Sequence, residues 1–140
     1  MSTALAEHSW CVVVPHHGRG ARMARQRLSS ELADIVSPSL LADVIAVVAE
    51  FVGNSVLHAR PLPDDVIRVA WQHRVDAGTD VVEVRVTDGG AAAQPRLREA
   101  GPDETAGRGL QIVAALASRW GVERDASGQS VWAELCAPAD

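Results

Sequence analysis

Lysine is absent from this chain: all 13 of its basic residues are arginine. That removes several chemistries at once. A Walker A loop needs its lysine on the β- and γ-phosphates, and the eukaryotic-type protein kinase fold needs one on a strand. Schiff-base catalysis loses its amine for the same reason. Cysteine is scarce too, and Cys11 and Cys136 alone cannot make a disulfide framework or a zinc cage. No run approaches ~18 uninterrupted apolar residues, so no membrane span is expected. Met1 to His8 carry an acid and no basic cluster ahead of an apolar run, which does not read as a secretory signal. The cytoplasm is therefore the expected compartment. Positive charge is in deficit, with a net charge of −5, and this disfavours a nonspecific grip on nucleic acid.

What is there reads as one globular domain. The 140 residues are 47% apolar and 22% charged, enough for a single core and too apolar for a disordered tail. A short N-terminal tail (1–9) is expected to be disordered, with the domain running over 10–137. Trp10 to Pro15 reads as a strand ended by proline, and Gly18 to about Val36 as a helix that Ser37-Pro38 stops. Ser37 or Ser39 can cap a second helix over Leu40 to Ala59, closed by Pro61 and Pro63. Val66 to Val75 and Val81 to Thr87 alternate as strands around Asp76-Ala-Gly-Thr-Asp80. Asp88 to Gly107 dissolves into Gly, Ala, Pro and charge, and a loop of about 20 residues is more often functional than idle. Leu110 to Trp120 is helical by period, and Gly121 to Ala126 with Gln129 to Cys136 make a last hairpin. The order β-α-α-β-β-loop-α-β-β predicts an α+β two-layer sandwich, with a mixed, mainly antiparallel sheet and helices on one face.

Three local sites carry chemistry. Glu50, Asn54 and His58 recur every four residues and form one polar stripe on an otherwise apolar helix. Asn54 can offer an amide oxygen to a hard cation such as magnesium, with Glu50 orienting or deprotonating a nucleophile beside it. The stripe reads equally as a solvent-facing side. Asp88-Gly89-Gly90 follows a strand, where a carboxylate accepts from the amino group of adenine and repels the acceptor that guanine offers there. A plain Asp-Gly turn has the same sequence. Gly107-Arg108-Gly109-Leu110 opens a helix, where free N–H groups and the helix dipole suit an anion; a hinge is the blander reading. Gly18-Arg-Gly20 is rejected as a dinucleotide fingerprint, because Met23 replaces the third glycine and no βαβ unit follows. Arg19, Arg22, Arg25 and Arg27 cluster on the first helix, either as a dock for an acidic partner or as a solvated basic face.

The order of these sites resembles the Bergerat-fold, histidine-kinase-like ATP-binding superfamily, and most closely the bacterial anti-sigma-factor serine/threonine kinases of actinobacterial type. Glu50 to Ala59 looks like their N-box, Val86 to Gly90 like their first glycine box, and Gly107 to Val113 like their second. The likeness runs from about residue 10 to 136. It implies ATP and Mg2+ as cofactors, with Asn54 holding the metal and Glu50 as general base. Asp88 would accept from the adenine amino group, with Gly90 leaving room beside the base. Gly107, Arg108, Gly109 and Leu110 would form the phosphate end, and Ser130 matches a late hydroxyl position near adenine. The implied partners are a sigma factor and an anti-sigma antagonist protein that is phosphorylated on serine, with a homodimer as one option. The first glycine box ends in Ala92, where the family usually has glycine, and the lid over Ala91 to Ala106 is short. Both favour an alternative, a non-catalytic ATP-sensing interaction module of the same fold. A degenerate fold that binds no nucleotide is a third reading. No phosphoacceptor-histidine helix precedes the domain and Leu57 stands where histidine kinases carry a basic residue, so a histidine kinase is not expected.

Overall fold

The computed structural model describes residues 8–90 and 105–139, with side chains from Leu110 onward in the second stretch. Most of the expected tail and of the lid, including Ala92, lies outside the described residues. The elements are β1 (His8–Pro15), α1 (Gly18–Leu32), α2 (Pro38–His58), β2 (Val66–Asp76), β3 (Thr79–Asp88), α3 (Thr105–Leu116), β4 (Arg119–Asp125) and β5 (Gly128–Pro138), in the order the sequence predicts. The strands form one sheet in the order β1-β2-β3-β5-β4. Every pairing is antiparallel among the described residues, so the sheet is not mixed. The reason is β5: it lies between β3 and β4 and runs against both. The parallel relation of β3 to β4 is thus never a hydrogen-bonded one. Two such strands need a crossover, and α3 supplies it.

Alternation decides which face is covered. Val14, Ile67, Val69, Trp71, Val82, Val84, Val86, Val131, Ala133 and Leu135 point to one side of the sheet, and there they meet Leu28, Leu32, Val44, Val48 and Phe51 from α1 and α2. Each Val, Leu, Ile or Phe side chain among them contributes roughly 1.5–3 kcal/mol by leaving water. The opposite face is polar: Glu134 accepts from Arg74 (3.4 Å) and Arg119 (3.3 Å), and Arg85 donates to Glu123 (2.7 Å).

Helix α2 starts where Ser37 Oγ accepts from Leu40 N (3.1 Å) with Pro38 in the first turn, which selects Ser37 over Ser39 as the cap. By length and composition alone α2 could cross a bilayer. Its apolar content is explained by the buried stripe Leu40, Val44, Val47, Val48, Phe51, Val52 and Ser55, which packs against the sheet and α1. Helix α1 ends at Leu32, four residues before the expected Val36, in a tight turn where Leu32 O accepts from both Ile35 N and Val36 N.

Helix α3 departs most from expectation. It begins at Thr105, not Leu110, so Gly107 and Gly109 lie within its opening turns despite their low helix propensity. It ends at Leu116, and Trp120, expected in the helix, stands in β4 opposite Ala133. Ser118 makes the switch: its backbone N–H (2.8 Å) and its Oγ (2.9 Å) both donate to Glu134 O, capturing the chain for the sheet.

The two sheet edges differ in character. The outer strand β4 carries Arg119, Glu123, Arg124 and Asp125, whereas β1 has no charged residue from Ser9 to Pro15 and leaves Val13 53% exposed.

Candidate functional site

Strand β3 ends on Asp88, which shares the helix-facing side with Val84 and Val86 and is only 3% exposed. One carboxylate oxygen accepts from Ser55 Oγ of α2, in a short hydrogen bond, and the other accepts from Gly90 N (2.8 Å). Ser55 is the neighbour of Asn54. The carboxylate at the end of β3 and helix α2 are therefore tied directly to each other. His16 secures the same helix end, its Nε2 lying 2.9 Å from Ser55 O and 3.0 Å from Ala59 O. Carbonyls only accept, so this nitrogen carries the proton.

Of the glycines after Asp88, Gly89 is fixed by close approach and Gly90 by its positive φ of 93°. Gly89 N donates to Arg60 O (2.7 Å) and Arg60 N donates to Gly90 O (2.9 Å), clamping the turn to the segment that leaves α2. A Cβ on Gly89 would collide with the Pro61 carbonyl, and one on Gly128 with the Asp88 carbonyl. Any side chain at either position pushes the turn off its neighbour.

Glu50 and Asn54 lie one helical turn apart and are half-buried, and neither side chain has a hydrogen-bond partner among the described residues. His58, at the end of the stripe, is exposed. Gly107, Arg108 and Gly109 stand in the opening turns of α3, which joins β3 to β4. Leu110 is buried (4% exposed) and serves packing. Of the three separated stretches, the ends of α2 and β3 meet directly.

Ser130 does not join them. It pairs in register with Thr87, the two hydroxyls 2.7 Å apart, and both lie on the sheet face turned away from the helices. The residue opposite Asp88 is Gln129, 2% exposed and on the helix-facing side. Arg124 follows on β4 in the same row, its Nε donating to Gln129 Oε1 (2.7 Å). A cleft of about 430 Å³ opens here, walled by Arg60, Gly89, Gly90, Arg124, Gly128 and Gln129 among others. Its outer rim is the β4–β5 turn. There Asp125 accepts from Ser127 Oγ (2.7 Å), Ser127 N (2.8 Å) and Gly128 N (3.2 Å), and these bonds, the Ser127 hydroxyl first, hold its carboxyl below the ordinary value.

The donor set can be tested against the expected ligands. A carboxylate has about four lone-pair directions and Asp88 uses two, so it retains capacity for an amino group. No group of three or more His, Cys, Asp or Glu that could hold a metal gathers among the described residues. A single amide oxygen from Asn54 suits only a hard cation that completes its shell with phosphate and water, as magnesium does.

Comparison with known families matches residues 14–135 to the model described as the histidine kinase-like ATPase domain. Comparison with curated proteins gives no match.

Proposed function

Because the chain belongs to the histidine kinase-like ATPase domain family and so is an ATP-binding domain, we propose that it acts as an anti-sigma regulatory factor, phosphorylating an antagonist protein on serine or threonine. The observation that carries the reading is the Ser55–Asp88 bond, which joins the adenine-reading carboxylate to the helix that bears Asn54 and Glu50. When bound, ATP supplies the γ-phosphoryl group and magnesium neutralises charge on its oxygens. The residues of this chain do the rest. Asp88 accepts from the amino group of the base. Asn54 would hold the metal through its amide oxygen. The opening turn of α3 leaves backbone N–H groups without helical partners, aimed where negative charge collects. Glu50 takes the proton released by the attacking hydroxyl of the partner protein. The activity calls for a sigma factor as binding partner and a cytoplasmic setting.

Calorimetry with ATP and GTP, with and without magnesium, tests this. Asn54→Ala should abolish the magnesium dependence of ATP binding, and Asp88→Asn should erase the preference for adenine. Glu50→Gln should lower phosphotransfer by two to four orders of magnitude, the usual worth of a general base, while sparing ATP binding. Turnover unchanged in Glu50→Gln would remove that residue from the mechanism.

A second reading has its own observation. Ala92 ends the first glycine box where the family usually has glycine, and this suits a module that senses ATP and binds partners without transferring phosphate. Magnesium-ATP binding together with no phosphate on any serine-bearing partner would select it.

A further inference from the structure

We propose that His16, outside the nucleotide site, is a positioning residue for it. Ring and backbone together brace both ends of the segment between α2 and β2, and that segment holds the Asp88–Gly90 turn in place. The inference rests on the nucleotide reading above and deepens it.

His16 and His17 stand side by side at the corner between β1 and α1, and they divide the work. His17 is exposed and starts α1, its Nδ1 accepting from Arg19 N (3.2 Å). His16 is half-buried and faces the end of α2 instead. Its one Nε2 proton is shared between Ser55 O (2.9 Å) and Ala59 O (3.0 Å), a three-centre pattern common at helix termini. Ala59 has already left the helix for extended backbone, so its carbonyl has no helical partner to turn to. The backbone N–H of His16 donates to Asp65 O (2.9 Å), at the other end of the same segment. Asp64 and Asp65 both hold positive φ (72° and 59°), a conformation that residues other than glycine keep only where their surroundings fix it. The corner itself is tight, with His17 N donating to Pro15 O and Gly20 N to His17 O (both 2.8 Å), so the ring is presented from a fixed base.

What lies between the two anchor points touches Asp88 and its glycines. Arg60 N donates to Gly90 O and Gly89 N donates to Arg60 O, while the Pro61 carbonyl sits where a side chain on Gly89 would have to go. Ser55, whose carbonyl takes the ring proton, donates its hydroxyl to the Asp88 carboxylate. The turn therefore has two handles, the Ser55 hydroxyl and the Arg60 backbone. His16 grips the chain at Ser55 and Ala59 on one side of Arg60 and at Asp65 on the other. With the ring proton gone, the end of α2 is free to fray, and both handles loosen together.

Variants that differ in reach and in donation test this. His16→Gln offers an amide N–H at the reach of Nε2, the amide of His16→Asn is a methylene shorter, and His16→Phe keeps a ring without a donor. Magnesium-ATP affinity is measured by calorimetry well below the melting temperature, where a variant that is merely less stable still binds as the native chain does. His16→Asn and His16→Phe should bind about three- to tenfold more weakly, the worth of one hydrogen bond, and His16→Gln should return to native affinity. Hydrogen exchange of the ligand-free chain follows the route: the Arg60 and Gly89 amides should exchange faster in His16→Asn and recover in His16→Gln. If His16→Phe does not fold, the contrast between Asn and Gln decides alone. Native affinity in His16→Asn, equal weakness in His16→Gln, or unchanged exchange at Arg60 and Gly89 would each overturn the role of His16. The parent reading has a separate control. If Asp88→Asn leaves ATP and GTP affinities unchanged, the nucleotide is held elsewhere and the role of His16 falls with that reading. An altered preference in Asp88→Asn with native affinity in His16→Asn removes only the brace.

Discussion

Ser55 shows how one small side chain can couple two functions. Its hydroxyl lies in the apolar stripe of α2 and donates to the buried Asp88 carboxylate. Ser55→Ala should lower stability by about 1.5–3 kcal/mol, the usual worth of a hydrogen bond to a charged group. It should also weaken ATP binding, because the carboxylate loses its orientation. Urea titration and calorimetry measure the two effects separately. The sequence contained this signal, since Ser55 is in phase with Val44, Val48 and Phe51 and is a polar residue on an apolar face. The same logic applies to Gln129. Val131, Ala133 and Leu135 mark the core-facing parity of β5, and Gln129 shares it while Ser130 does not. Ser130, the hydroxyl expected near the base, is one residue away, and in a strand one residue means the opposite face. Asp88 and the Glu50–Asn54 spacing were legible because they depend on local periodicity. The Ser55 and Arg124 contacts were not, because they require the register of strands distant in sequence.

Among the elements, β2 and β3 hold a buried hydrogen-bonded pair at the other end of the hairpin. His73 Nε2 lies 2.8 Å from Asp80 Oδ1, and both residues are nearly inaccessible. Removing one partner leaves the other's polar atom unsatisfied in the core, so Asp80→Leu should cost about 1–3 kcal/mol, while His73→Leu with Asp80→Leu should recover most of the loss. Chemical denaturation of the two variants decides it. The β4–β5 turn responds to acid instead. The Asp125 carboxyl lies below its ordinary value through its bonds from Ser127 and Gly128. Its contribution is therefore complete above the unfolded-state value near pH 4 and fades as pH falls through the depressed folded value. Amide exchange at Ser127 and Gly128 should quicken over that acid range, and Asp125→Asn should flatten the response. The elements themselves were readable in order because Pro15, Pro38, Pro61 and Gly128 punctuate them. The ends of α3 were not, since capture of Ser118 by Glu134 is a tertiary event.

At the scale of the whole molecule, the fold places Asp88 and the cleft at one end of the sheet and the His73–Asp80 pair toward the other. The β2–β3 turn, with Ala77 and Gly78 at positive φ, closes the far end and fixes the register of the central hairpin. Binding of magnesium-ATP to the folded state alone should raise stability by about 2.7 kcal/mol at a hundredfold excess over Kd, seen as a rise in Tm. Asn54→Ala, at a half-buried position with no hydrogen-bond partner among the described residues, should shrink that rise without lowering the Tm of the ligand-free chain.

The unequal edges of the sheet bear on how the protein keeps in a tube. The charges along β4 deter a neighbouring chain from zipping onto it, and β1 has no such guard. Concentrated samples should clump by way of β1 before any other route, and Val13→Lys, on an already exposed position, should lengthen shelf life as followed by light scattering.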